Sequence, residues 1–163
     1  MVLPMKVTRD TPQQLIIANS PWLIGIFLIG FILIFVAVGL LLLSEGIWAG
    51  LLFSLVGGGL GFGAFAAFVR RVQLILDRPS DTITIRVRSL FGFSEVQHSL
   101  SNLSRAVLET TTSSKGNTLY RPTLILDKGM SAGSHPVVHA YANTTGPRRM
   151  VDAINSWLSI GPP

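Results

Sequence analysis

Two long apolar runs dominate the pattern of the chain. Trp22 to Leu43 is 22 residues without a charge, Ile47 to Val69 is 23 more, and only Ser44, Glu45 and Gly46 separate them. An α-helix rises about 1.5 Å per residue, so each run spans ~33–35 Å, enough for a hydrocarbon core of ~30 Å. Backbone polar groups cannot go unsatisfied in lipid, so both runs are predicted as helices of a transmembrane hairpin, residues 22–43 and 47–69. Trp22 and Trp48 stand at the edges of their runs, where an indole suits the headgroup level. A cleaved secretory signal does not fit the first run. Its apolar region would be about 7–15 residues long, with a small-residue cleavage site after it.

After Arg71 the period changes from helical to alternating. Val72–Asp77 reads as a short strand, Arg78-Pro79-Ser80-Asp81 as a turn, and Thr82–Arg88 as a half-buried strand. On that strand Ile83, Ile85 and Val87 point one way and Thr84, Arg86 and Arg88 the other. Further strands are expected at Phe91–His98, Leu103–Thr111, Thr118–Leu126 and His135–Tyr141. Met150, Val151, Ile154, Trp157 and Leu158 then share one side of a helix over 147–158, with Pro147 at its first position and Gly161-Pro162-Pro163 ending it. Residues 1–21 hold a small hairpin, Lys6–Arg9 and Gln14–Ala18, able to join the same sheet if the two spans return both termini to one side. The expected class is an α+β membrane protein: a helical hairpin (22–69) and an antiparallel β domain (70–160) closed by a terminal amphipathic helix.

Composition agrees with that division. The chain has 163 residues, is 48% hydrophobic and only 13% charged, about half the charge of an ordinary soluble domain. Its net charge is +5, and residues 70–163 hold 11 basic against 6 acidic side chains. Lys6 and Arg9 precede the first run and Arg70 and Arg71 follow the second, whereas the turn between them has no basic residue. The positive-inside rule then puts both termini in the cytoplasm and Glu45 outside. There is no cysteine, which removes disulfides and thiolate chemistry.

The second run is rich in small residues. Gly57 and Gly61, and Gly59 and Gly63, stand four apart, and Ala67 extends the second row. This small-xxx-small spacing makes a groove for close helix approach. It serves the first helix, a second copy or another membrane subunit. Gly59-Leu60-Gly61-Phe62-Gly63 is no nucleotide loop, because it lies deep in an apolar helix with no strand before it.

Candidate chemistry is sparse. His135 and His139 are four apart, but on a strand that spacing is ~13 Å by rise, too far for one metal. No metal-ligand motif, nucleophile elbow or phosphate loop is present, and no cofactor is expected. Arg86 and Arg88 with Phe91 and Phe93 are too thin a basic stripe for nucleic acid. If Arg70, Arg71, Arg86 and Arg88 converge, they make a contact for anionic lipid.

These features resemble a family of bacterial membrane proteins in which two closely spaced helices precede a pleckstrin-homology-like domain. The resemblance is carried by Arg70-Arg71 after the second helix, the strand pair Val72–Asp77 and Thr82–Arg88, Phe91-Gly92, the strand around Leu119–Leu126, and the closing helix ending Ile154-Asn155-Ser156-Trp157-Leu158. It implies a fold, a bacterial inner or derived internal membrane, and no activity; pleckstrin-type folds often bind phosphoinositides or protein segments. Two non-enzymatic readings follow. The first is an accessory, assembly or scaffold subunit of a membrane complex, using the glycine-rich helix and the β domain for protein contacts. The alternative is a membrane-anchored module binding anionic headgroups through a basic face.

Overall fold

A computed structural model describes residues 5–160 and divides them into two compact units. One unit holds the two long helices together with the loop Ser89–Gly92; the other holds the strands and the closing helix. Gly161–Pro163, expected to end that helix, lies outside the described residues, as do residues 1–4 of the N-terminal segment.

In the helical unit, α1 is Trp22–Ser44 and α2 is Ala49–Phe68. A Schellman motif closes α1: Gly46 takes φ +79°, its N–H donates to Leu43 O at 3.0 Å, and Ile47 N–H donates to Leu42 O at 2.9 Å. This left-handed position favours glycine and lets the chain reverse within four residues. Next to the turn the helices touch backbone to backbone. A Cβ on Gly50 would stand 2.4 Å from Gly39 O, and one on Gly39 would stand 2.5 Å from Gly50 O.

In the other unit, β1 (Met5–Asp10), β2 (Gln14–Asn19), β3 (Arg71–Asp77), β4 (Thr82–Arg88) and β5 (Phe93–Ser99) form one antiparallel meander in that order. The N-terminal hairpin is therefore part of this sheet, with β2 paired to β3 along its whole length. Strands β6 (Leu103–Thr112), β7 (Thr118–Leu126) and β8 (Gly133–Pro136) form a second sheet of three. A 3-10 turn at Leu100–Asn102 separates the two. Asp81 anchors it: its carbonyl accepts from Leu100 N–H at 2.9 Å and its carboxylate from Ser101 N–H at 2.8 Å. The chain so turned starts a new ladder instead of extending the first.

The helix α3 (Gly146–Ser159) packs on β6, β7 and the β1–β2 hairpin. Leu15, Ile17, Leu74, Leu76 and Ile83 of the first sheet meet Leu124 and Leu126 of the second and Ile154 and Trp157 of α3 in one core. Alternation produces this arrangement: every second residue of β2 and β3 is buried. Asn155 contributes a polar tie, its side-chain amide donating to Ala106 O and accepting from Ala106 N–H, both at 2.9 Å. Those bonds satisfy backbone groups at the free edge of β6, beside its bulge.

The second helix, expected over 47–69, is Ala49–Phe68, and two expected strands differ by two residues or more at an end. The last strand is Gly133–Pro136, not His135–Tyr141. Pro136 brings no N–H to the ladder; Val137 N–H still donates to Pro122 O at 3.0 Å, and regular strand structure stops there. Val137 and Val138 are nevertheless core residues, so their apolar run reflects packing and not strand structure. The strand expected at Phe91 starts at Phe93, because Ser89–Gly92 closes as a turn with Ser89 N–H donating to Gly92 O at 2.9 Å.

Candidate functional site

The meander has one face on the core and one outward. On the outward face of β3, β4 and β5, the cross-strand register aligns two rows. Arg71 stands opposite Arg88, and Arg88 opposite Phe93. In the next row Gln73 stands opposite Arg86, and Arg86 opposite Glu95. These six residues line a single open cleft of about 290 Å³. Facing residues of adjacent antiparallel strands lie about 4.5–5.5 Å apart between Cα atoms, so the guanidinium groups are forced into one neighbourhood.

The two rows differ electrostatically. Arg86 donates from Nε to Glu95 at 2.7 Å. Glu95 also accepts from Gln97 Nε2 at 2.7 Å, and the bonds from Gln97 and Arg86 hold its carboxyl below the usual carboxylate range. A second cross-strand pair, Arg121 with Glu109, closes the same way in the three-stranded sheet, with Arg121 Nε donating at 3.0 Å. Arg71 and Arg88 have no such partner: among the described residues neither makes an ion pair. Like charges directly opposite on a sheet repel. The cleft thus carries three guanidiniums against one carboxylate, and two of the three are uncompensated.

Of the four arginines singled out from sequence, Arg71, Arg86 and Arg88 meet at this cleft, whereas Arg70 is exposed and does not line it. Gln73, Phe93 and Glu95 complete it and were not singled out as a set. Their signal is in the register. Asp77 faces Thr82 across the turn, so six steps back along β3 and six forward along β4 place Arg71 opposite Arg88.

The glycines of α2 divide into two groups. Gly57 and Gly61 are buried against α1, where an added Cβ would meet the Phe35 ring at 1.8 Å and Ile32 at 2.6 Å. Gly59 and Gly63 have nothing within 4 Å and, with the exposed Ala67, leave an open row. The tightest backbone contact, Gly39 with Gly50, lies outside the groove read from the sequence.

The histidines are arranged differently from the sequence expectation. His135 is in β8 and His139 beyond it; the close pair is His98 with His135, ring centroids 4.5 Å apart. His135 Nε2 is 2.7 Å from Ser131 O, whereas both ring nitrogens of His98 are buried without a partner. Burial first, and the neighbouring His135 second, pull the His98 pKa below the ordinary histidine value. The unfolded chain takes up this proton near pH 6.5 while the folded one resists it. Stability from this site is therefore complete above about pH 6.5 and is lost as pH falls towards the folded-state value. Urea titrations between pH 7.5 and 5 are expected to show that decline, and His98→Phe to flatten it. An equal decline in His98→Phe would assign the acid sensitivity to other groups. Among the described residues no three His, Cys, Asp or Glu side chains form a metal-holding group.

No protein-family model matches the chain, and no curated protein does so either.

Proposed function

We propose that this protein is a membrane-anchored module that binds anionic lipid headgroups, and that the Arg71–Arg86–Arg88 cleft is its headgroup site. The uncompensated pair Arg71 and Arg88 carries the reading. A phosphate oxygen between them relieves their repulsion, and a guanidinium fork suits phosphate geometry. Connectivity supports it: β3 begins three residues after α2 ends, a reach of about 10 Å, so Arg71 stays close to the end of an apolar helix. The membrane assignment draws on that helix and its partner. Their most apolar windows are only 6% and 22% buried within the protein, whereas the core helix of a soluble fold is mostly covered. Charge asymmetry supports placing both termini in the cytoplasm. The two sheets and closing helix are the layout a pleckstrin-homology-like domain would have, and that likeness is part of the proposal. The reading requires no catalytic step.

The test uses the full chain in mild detergent, titrated with phosphatidylglycerol and, separately, phosphatidylcholine, with bound lipid counted by native mass spectrometry. Near an anionic surface each basic residue contributes about 1 kcal/mol, so Arg71→Ala with Arg88→Ala is expected to weaken phosphatidylglycerol binding on the order of 30-fold. Arg148→Ala with Arg149→Ala, an equal change of charge on α3, should leave it nearly unchanged. Equal losses in the two double variants, or no preference for phosphatidylglycerol in the parent, would overturn the site.

A second reading, an accessory or scaffold subunit of a larger membrane complex, is favoured by the open row of Gly59, Gly63 and Ala67. A close-packing helix from another integral protein or a second copy would occupy it. Gly59→Leu with Gly63→Leu should then reduce the size of complexes extracted from native membranes without lowering the yield of the chain.

A further inference from the structure

The loop between β4 and β5, Ser89-Leu90-Phe91-Gly92, carries no charge and presents its apolar side chains outward. Leu90 is 48% and Phe91 76% exposed, and Phe93 at the start of β5 is 63% exposed. A polar turn is the ordinary way to join two strands at a wet surface, so consecutive exposed apolar side chains call for a partner. Its position supplies one. Ser89–Gly92 groups with the two long helices, and the Phe91 ring lies edge-on to Phe62, centroids 6.5 Å apart and planes at 77°. Phe62 is six residues before the end of α2 at Phe68, about 9 Å along the helix axis. The tip of the loop therefore sits beside the flank of an apolar helix, more than a turn before its end.

We infer that this loop is a third membrane contact, with Leu90 and Phe91 inserted at the boundary between headgroups and acyl chains of the bilayer that holds α1 and α2. The inference rests on the membrane reading of those helices. Three observations fit an interfacial wedge. One backbone pair of the loop is satisfied within it, since Ser89 donates from both N–H and Oγ to Gly92 O at 2.9 and 3.3 Å, which lowers the cost of leaving water. Arg88 is the last residue before the loop and Phe93 the first after it, and Arg71 lies opposite Arg88. By chain connection and strand register the uncompensated guanidiniums adjoin the apolar tip, the pairing of basic and apolar residues an interfacial segment uses.

The chain has no cysteine, so single cysteines can be placed without altering a background. Phe91→Cys, Leu60→Cys and Lys128→Cys are made in the full chain, spin-labelled, and reconstituted into vesicles of phosphatidylcholine and phosphatidylglycerol. Collision with dissolved oxygen and with a water-soluble nickel complex then reports depth at each label. Position 60, in α2, should read as deep, position 128, in a charged turn, as aqueous, and position 91 as interfacial, its nickel accessibility several-fold below that of 128. A label at 91 as accessible to nickel as the one at 128, with 60 still deep, would overturn the insertion and leave the membrane hairpin standing. An aqueous reading at 60 would overturn both.

Discussion

Gly50→Ala should disrupt the helical hairpin, although alanine is a smaller change than most substitutions a helix tolerates. The added Cβ would stand 2.4 Å from Gly39 O, 2.8 Å from Leu42 Cβ and 3.0 Å from Leu43 N. Two of these atoms are backbone, and a backbone atom cannot rotate away; only separation of the helices relieves the overlap. Overpacking typically costs about 1–3 kcal/mol, and a rigid neighbour puts the cost at the upper end or beyond. Gly39→Ala meets Gly50 O at 2.5 Å and Ser54 Oγ at 1.8 Å, so it should be comparably damaging. Gly59→Ala and Gly63→Ala, which meet nothing within 4 Å, should leave the hairpin intact. Thermal unfolding in detergent with circular dichroism at the helical bands checks this series. A Gly50→Ala protein as stable as Gly59→Ala would mean that the helices do not touch at Gly39 and Gly50.

Trp157→Ala is expected to be the most damaging single change in the β domain. Trp157 is 1% exposed, its Nε1–H donates to Thr11 O at 2.7 Å, and the Arg78 guanidinium lies 4.1 Å over its ring. Arg78 Nη2 also donates to Trp157 O at 2.8 Å. One residue thus joins α3, the β1–β2 turn and the β3–β4 turn, which come from the two ends and the middle of the chain. Replacing a buried aromatic with alanine costs about 3–5 kcal/mol, a large share of the 5–15 kcal/mol that holds a typical domain together. Trp157→Phe keeps most of the packing and loses the Thr11 bond, so it should cost only about 1–3 kcal/mol. Urea unfolding followed by β-sheet circular dichroism separates these outcomes. Near-parental stability of Trp157→Ala would show that α3 is not docked through this side chain.

Much of the secondary structure was legible because its signals are local. The short apolar run Val72–Leu76, bounded by the turn at Arg78-Pro79, defined β3, and the 3.6-residue spacing of Met150, Val151, Ile154 and Trp157 defined α3. Where a signal depended on tertiary surroundings, it was read less well. Val137 and Val138 looked like a strand because they are buried, and the proline before them ends the ladder. Asn155 is not on the apolar side read for that helix, yet it completes the edge of β6 from 49 residues away. The division of eight strands into sheets of five and three has no local signature, since the break depends on Asp81 holding Leu100 and Ser101. The same limit applies to the cleft. Arg86 and Arg88 share a face by alternation alone, but Arg71 and Glu95 join them only through cross-strand register. The glycine rows were visible as spacing, whereas which row faces α1 depends on the bulk of Ile32 and Phe35.

The proposed function requires an anionic headgroup to sit in the cleft of β3, β4 and β5. Phosphatidylglycerol bearing a photoreactive group on its headgroup, incorporated in vesicles with the full chain, illuminated and mapped by peptide mass spectrometry, tests this most directly. Adducts should concentrate on β3 and β5 around Gln73 and Phe93, and should fall away in Arg71→Ala with Arg88→Ala. Adducts spread over the basic residues of α3, or unchanged by that double variant, would contradict the headgroup site.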